Sequence, residues 1–508
     1  MVSQKKTPLP TTWLDSSHME EEKEAESSDE SKRRGPPNRM NDLRYSDWMK
    51  FQKSFFRHTS YTNLVRECIA FFTKAVWPDG HHSHVLLLGF SEELADLEPG
   101  ARLVDSEGFT TFCDLLQQLE KFQKEERMYD FVLVNLAPLL RASADVTTFL
   151  ETWADRYFGL LRSLTYAQQY CGMIVGLSGA GGGGFPIPWS VGLAGRNHLR
   201  LRDEKIGLIE SENKIYYCLF MQSDNDSRPP AHLDITSLRT ASEDRWITPW
   251  VMPKSPPRTK SEIRHPAKFP EALIMQFITD FTRPGDNVLD PMVGTGSSVI
   301  AAVKLGRNGF GVDLNQEFVD ISQNRLAYAV PPSLFETPSS SVRGTFVRGD
   351  ATRLSELPEL QSVRFAYCVT SPPYWSMLSN PGSENQRARR ERNLPLVYSN
   401  SDHDLGNIGD YNEFLKTLSA IYDQVALKLH PGGHLTIVVK NLKREHILYP
   451  LAWDLTAQLC GPGGKYEYVG TTLWCQDDVG IKPFAVGIYW VSNILHHYCL
   501  HFRRRDNL

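Results

Sequence analysis

The segment TSPPYW, Thr370 to Trp375, follows the apolar run Phe365 to Val369 and sets two prolines and two large aromatics at the end of an apparent buried strand. Proline donates no backbone hydrogen bond and fixes φ, so the carbonyls of Ser371 and Pro372, stiffened by Pro373, can stand outside any ladder as rigid acceptors. Such a pair suits one task. An exocyclic amine on a nucleobase is a poor nucleophile because its lone pair is delocalised into the ring. Two fixed acceptors on its hydrogens would orient it and stabilise the positive charge that grows on nitrogen as it attacks a methyl group. Tyr374 supplies a ring for an extruded base to stack on, worth about 1–3 kcal/mol, and Trp375 would help shape the pocket. A rigid turn capped by core aromatics is the competing reading.

Three further segments bear on that choice. LDPMVGTGSS, Leu289 to Ser298, leaves a strand and enters a helix, and Gly294 and Gly296 let its backbone turn tightly and approach a ligand. The third glycine of a dinucleotide fingerprint would fall at Val299, so the pattern that seats a pyrophosphate is incomplete. The next strand, GFGVDL, ends in Asp313, where a carboxylate can accept from both hydroxyls of a ribose. A nucleoside without a pyrophosphate therefore fits better than a dinucleotide. Asp350, in RGDA, closes the strand after that and could accept from an adenine amino group; a helix cap is its alternative.

These residues share one edge only if their strands lie in one parallel sheet. Strand patterns at Asn287–Asp290, Gly309–Asp313, Thr345–Asp350, Phe365–Thr370 and His434–Lys440, with helical spacing between the early ones, predict a doubly wound α/β sheet. Asp410 caps a helix whose apolar face is Phe414, Leu418, Ile421, Val425 and Leu429, and HPGG, His430 to Gly433, stops it. Strands near Tyr466–Cys475 and His496–Arg503 would close the sheet as a hairpin. Upstream, from 43 to 223, strand patterns at His84–Phe90, Tyr129–Pro138, Gly172–Ser178 and Lys214–Met221 predict a second α/β domain. Its glycine run, Gly179 to Trp189, lacks a P-loop lysine and reads as a flexible loop. Residues 224–260 read as a linker and 261–508 as the domain of the site. No repeat of fixed period is visible.

Composition narrows the class. No apolar run reaches the roughly 18–20 residues of a membrane span, and no secretory signal is apparent, so the chain reads as soluble and intracellular. The net charge of −5 is misleading, because seven acids against one lysine between Glu20 and Glu30 exceed it. Residues 1–40 read as a disordered acidic tail, and the remainder is near neutral, so a polyanion would have to meet a local basic patch. RARRER supplies one candidate, with Arg387, Arg389, Arg390 and Arg392 as phosphate contacts close to TSPPYW. The eight scattered cysteines read as packed thiols, and His81, His82, His84, His496 and His497 as solvated loop or strand positions, with no metal.

Taken together, HPAKFP (His265 to Pro270), DPMVGTG, the VDLN acid, GDA and TSPPYW make the region from Ser261 to Arg504 resemble the S-adenosylmethionine-dependent DNA methylases that modify cytosine N4 or adenine N6. The resemblance implies a Rossmann-like methyltransferase domain with a mainly parallel seven-stranded sheet. It implies that His265, Lys268 and Phe269 line the methionine end of the cofactor and that Asp290, Pro291, Gly294 and Gly296 shape its cleft. By the same resemblance Asp313 holds the ribose, Asp350 the adenine, and Ser371, Pro372, Pro373 and Tyr374 the target amine. Serine at 371 is the form usual for cytosine N4, and double-stranded DNA is the implied partner, with a companion restriction endonuclease left open. The family's long recognition insert is absent from the 35 residues between Trp375 and Tyr411, which turns attention to residues 43–223: a target-recognition unit, a partner, or a degenerate methylase-like copy in which NLAP, Asn135 to Pro138, sits where a catalytic loop would be.

Overall fold

A computed structural model describes residues 41–90, 102–141, 143–176, 187–209, 214–223, 238–241, 250–253, 270–330, 342–375, 391, 404–444, 447–476, 481 and 492–506. The acidic tail and most of the glycine run lie outside these residues; the end of that run, Ile187 to Trp189, opens helix α1 (Ile187–Gly195).

Strands β1 (Phe55–His58), β2 (His84–Leu88), β3 (Leu103–Glu107), β4 (Tyr129–Asn135), β5 (Thr165–Gly176), β6 (Arg200–Ile209) and β7 (Lys214–Gln222) form one sheet in the order β3-β2-β4-β5-β7-β6-β1. The second sheet contains β8 (Trp250–Val251), β9 (Asn287–Asp290), β10 (Asn308–Asp313), β11 (Gly344–Arg348), β12 (Phe365–Thr370), β13 (Leu429–Val439), β16 (Tyr466–Cys475) and β17 (His496–Arg504). Its order is β11-β10-β9-β12-β13-β17-β16-β8, and a separate hairpin, β14 (Leu442–Arg444) with β15 (Ile447–Tyr449), follows β13. Strands β9 to β13 run parallel, and β17 is antiparallel to both its neighbours, so the expected closing hairpin is present. The predicted seven strands gain an eighth: β8, within the stretch read as linker, pairs in parallel with β16.

The two orders match strand for strand once β11 is left out. β3, β2, β4, β5, β7, β6 and β1 correspond to β10, β9, β12, β13, β17, β16 and β8, down to a short parallel edge strand that precedes each unit in sequence. The repeat is one of topology, not of residues, which is why no period shows in the sequence.

Four helices matter to the second sheet: α2 (Glu271–Phe281), α3 (Ser297–Lys304), α4 (Tyr411–Lys428) and α5 (Leu451–Cys460). The Asp410 carboxylate accepts from Glu413 N at 2.8 Å, which starts α4, and Phe414, Leu418, Ile421 and Val425 are buried as their spacing requires. HPGG does not simply stop this helix; it lies within β13, where the register against β12 jumps from Phe365↔Leu429 to Tyr367↔His434.

The corresponding helices α1 and α5 pack across the boundary between the units. Trp189 lies over Trp453 with ring centroids 6.5 Å apart, and Gly192 admits that ring so closely that a Cβ would sit 2.6 Å from it. One apolar cluster runs through both units, from Leu86 and Val134 by way of Trp189 and Trp453 to Leu435 and Phe502. Beside it, β6 buries four consecutive charged residues, Arg202, Asp203, Glu204 and Lys205, each 0% exposed. Lys443 Nζ donates to Asp203 at 2.5 Å; Asn441 Nδ2 and Tyr498 Oη donate to Glu204 at 2.7 and 2.6 Å. Lys205 Nζ donates to the carbonyls of Phe51 and Lys53, both at 2.6 Å. Buried charge of this kind persists only when paired and hydrogen-bonded, so each unit completes the other.

Candidate active site

The strand order of the second sheet reverses direction at β9, with β10 on one side and β12 on the other, and the crevice above their carboxyl ends is where such sheets bind ligands. Asp290 closes β9, 1% exposed, accepting from Ser298 Oγ at 2.5 Å and Met292 N at 3.1 Å. Pro291 follows it, buried, and begins the turn into α3. Burial raises the Asp290 carboxyl to about 6. Gly294 and Gly296 have φ of +53° and +85°, and a Cβ on Gly296 would lie 2.9 Å from Ser322, so only glycine fits. Ser322 Oγ braces the turn by donating to Gly294 O at 2.9 Å.

Asp313 closes β10 and accepts from Gly294 N and Asn315 N, each at 2.9 Å, one on each carboxylate oxygen. Every oxygen thereby keeps one lone pair for a ligand hydroxyl. Burial, with Asp290 and Asp404 adding like charge, raises this carboxyl to about 7. The acid and the glycine turn are thus one unit: the residue expected from the sequence to hold a ribose also holds the loop. Asp350 caps the short turn Ala351–Glu356, taking both Thr352 N and Thr352 Oγ1 on Oδ1, at 2.9 and 2.7 Å.

TSPPYW leaves β12 beside β13. Ser371 Oγ donates to Val438 O at 3.0 Å, so Tyr374 Oη, 3.2 Å away, must be the donor to Ser371. That arrangement leaves Oγ a lone pair, and among the described residues no backbone donor bonds the carbonyls of Ser371 or Pro372. Among the described residues, three acceptors therefore stand at the strand end without a donor committed to them. The Tyr374 ring is partly buried against His497, centroids 6.0 Å apart, and burial pushes its phenol well above the usual value, which keeps it neutral.

Trp375 departs from expectation. Its ring is 5% exposed and packs on Tyr411 and Tyr449, with Arg444 over its face, so it fixes the loop from beneath rather than facing nucleic acid. Its φ of +38° is rare for a residue with a Cβ and marks a backbone held by its surroundings. His496 and His497 also depart from the solvated positions expected of them, at 0% and 7% exposure. Among the described residues no group of His, Cys, Asp and Glu could hold a metal ion. His265, Lys268, Phe269, Arg387, Arg389, Arg390 and Arg392 lie outside the described residues.

Sequence reasoning missed Lys440, His497 and Trp474 as elements beside the Ser371–Tyr374 segment. They come from β13, β17 and β16, and only cross-strand register brings them together.

Residues 195–324 match a family model described as DNA methylase, of the N6/N4 type. That span contains Asp290, the glycine turn and Asp313 but ends before TSPPYW. The chain is 40% identical over 63 residues to the type II methyltransferase M2.DpnII of Streptococcus pneumoniae, covering 12% of this chain and 24% of that protein. It is 35% identical over 97 residues to the DNA adenine methyltransferase YhdJ of Escherichia coli (strain K12), covering 19% and 33%. The chain thus spans between about a quarter and a third of the length of these relatives. Among solved structures, magnesium protoporphyrin IX methyltransferase of Synechocystis PCC 6803 with bound SAM aligns at 12% identity and a TM-score of 0.27, covering 46% of this chain and 77% of that one. Residues 195–324 are thus similar to the N6/N4 amino-methyltransferase family of DNA methylases.

Proposed function

We propose that this protein transfers a methyl group from S-adenosylmethionine to an exocyclic amine of double-stranded DNA, and that the amine is N4 of cytosine. The observation that carries the reading is the uncommitted trio of oxygens at Ser371 and Pro372, set beside the glycine turn and Asp313 on one sheet edge. When bound, the cofactor supplies a methyl group made electrophilic by its sulfonium. The residues support it: Gly294 and Gly296 supply the left-handed turn after β9, each Asp313 oxygen keeps a lone pair for a ribose hydroxyl, and Asp350 would close the adenine side. His265, Lys268 and Phe269 are assigned to the methionine end by resemblance alone. Ser371 Oγ and the Pro372 carbonyl take the hydrogens of the target amine and steer its lone pair, while Tyr374 stacks on the base. Serine at 371, not aspartate, supports cytosine over adenine.

The first unit keeps the fold without the chemistry. β2 ends in Leu87-Leu88-Gly89, with no carboxylate where β9 has Asp290, and β4 runs into NLAP with no aromatic ring. Asn135 spends its amide internally, donating to Gly89 O at 3.1 Å and accepting from Ala137 N at 3.2 Å. We assign it the part of a degenerate methylase-like partner that braces the active unit and shares in target selection. Arg387, Arg389, Arg390 and Arg392 are assigned to DNA phosphates.

Expression in a host with unmodified DNA, followed by hydrolysis and nucleoside mass spectrometry, is expected to show N4-methylcytosine. N6-methyladenine alone would overturn the base assignment, and methylation confined to RNA would overturn the substrate. A second expectation concerns Asp313. Ionised, it accepts from both ribose hydroxyls; as pH falls through about 7 it is protonated and loses an acceptor. Affinity for S-adenosylhomocysteine, measured by calorimetry, should therefore rise with pH through about 7. Asp313→Ala should weaken binding by roughly 2 kcal/mol, about 30-fold, and Asp313→Asn should abolish the pH dependence.

A further inference from the structure

Lys440 directly follows β13, and register places it beside the catalytic loop. Thr370 pairs with Ile437, so the positions after it run alongside Val438 to Lys440; Val439 pairs with Tyr498, so the next pair is Lys440 with His497, which is itself opposite Trp474. Val438, Cys499 and Trp474 share one apolar cluster with α2, and strand alternation brings Lys440 and His497 to that same face. His497 stacks on Trp474 at 4.4 Å and approaches Tyr374 at 6.0 Å. Lys440, His497 and Trp474 thus lie side by side across three strands, with His497 against Tyr374 of the Ser371–Tyr374 loop.

His497 and Cys499 on β17 lie beside the lysine across the ladder, and His497 in turn meets Tyr374 of the loop. On the far side Asp203 and Glu204 are already occupied by Lys443, Asn441 and Tyr498. Among the described residues no carboxylate pairs with Lys440 Nζ; burial lowers its ammonium to about 8, and burial, with the Lys440 charge adding to it, drives His497 well below the usual value. A fixed cation here would oppose the reaction, because nitrogen becomes positive as it attacks a methyl group that already carries cationic character.

Resting on the reading above, we propose that Lys440, in its uncharged form, accepts the proton that the target amine sheds on methylation, with His497 and Trp474 closing that side of the base pocket. The nitrogen lone pair forms the N–C bond, the C–S bond breaks with its electron pair on sulfur, and the N–H proton passes to Nζ, from which solvent removes it. Lys440 then needs to be neutral before each turnover.

Two measurements test this. In protein labelled with ¹³C at lysine Cε, without DNA or cofactor, one resonance should titrate with a midpoint near 8 and vanish in Lys440→Met. In single-turnover assays on unmodified DNA, the wild-type rate should rise with pH and level off above about 8. Lys440→Met should lose that limb and on the order of 100-fold in rate at the plateau. Lys440→Arg, which keeps the stem's packing and the charge, should be slower still. A midpoint above about 10, or a wild-type rate flat from pH 7 to 9 and matched by the methionine variant, would overturn the role. Absence of any methylated base in the wild type sinks the broader reading instead, and the resonance titration stands apart from that outcome.

Discussion

Tyr374→Ala is expected to lower single-turnover methylation on the order of 1000-fold while S-adenosylhomocysteine affinity stays within about twofold. In the proposed reaction the ring is the stacking surface, and its hydroxyl lies 3.2 Å from Ser371 Oγ, so the substitution would remove the platform and disorder an acceptor together. Neither Tyr374 nor Ser371 bonds the glycine turn or Asp313, whose partners are Gly294, Asn315 and Ser322. Ser371→Ala should cost on the order of 100-fold, because the backbone carbonyls remain. Paired kinetics and calorimetry check the division of labour, and loss of cofactor binding in either variant would refute it.

Glu204→Ala should destabilise the whole protein by about 3–5 kcal/mol, although Glu204 belongs to the first unit and not to the one that carries the proposed site. Its carboxylate accepts from Asn441 and Tyr498 and lies 3.5 Å from His496 Nε2, all buried. Removing it leaves three polar groups facing a void, and each unsatisfied group costs about 1–3 kcal/mol. Two of them adjoin the pocket in sequence, Asn441 after Lys440 and His496 before His497, so activity should fall even below the unfolding temperature. Glu204→Gln keeps the shape and one acceptor and should cost less. Denaturant midpoints of the three proteins decide the matter; a change below about 1 kcal/mol for alanine would show that the units stand independently.

Much of the second unit was legible because its strands are apolar runs that end in recognisable residues. Asp290 and Asp313 close β9 and β10, Asp350 and Ser371 follow the ends of β11 and β12, and a parallel order puts all four on one edge. β6 was not legible. A run of Arg202, Asp203, Glu204 and Lys205 reads as solvent-facing by every periodicity argument, and the groups that bury it, Lys443, Asn441, Ser492 and Tyr498, lie more than 230 residues away in sequence. His497 was misread for the same reason: its environment is made by Trp474 and Tyr374, not by its neighbours in sequence. Trp375 reads from the sequence as a shaper of the base pocket, whereas the hairpin after β13 supplies Tyr449 and Arg444 to cover it.

The coupling of β6 to the hairpin and β17 has a consequence for dilution. Two separate chains joined by this surface would have a dissociation constant, and at low copy number some active units would lack their brace. Covalent continuity replaces that equilibrium with an effective concentration in the millimolar range for a short connection. The specific activity of the intact chain should then be the same at picomolar as at micromolar protein, whereas a version cut between residues 224 and 249 and reassembled from its halves would fade on dilution.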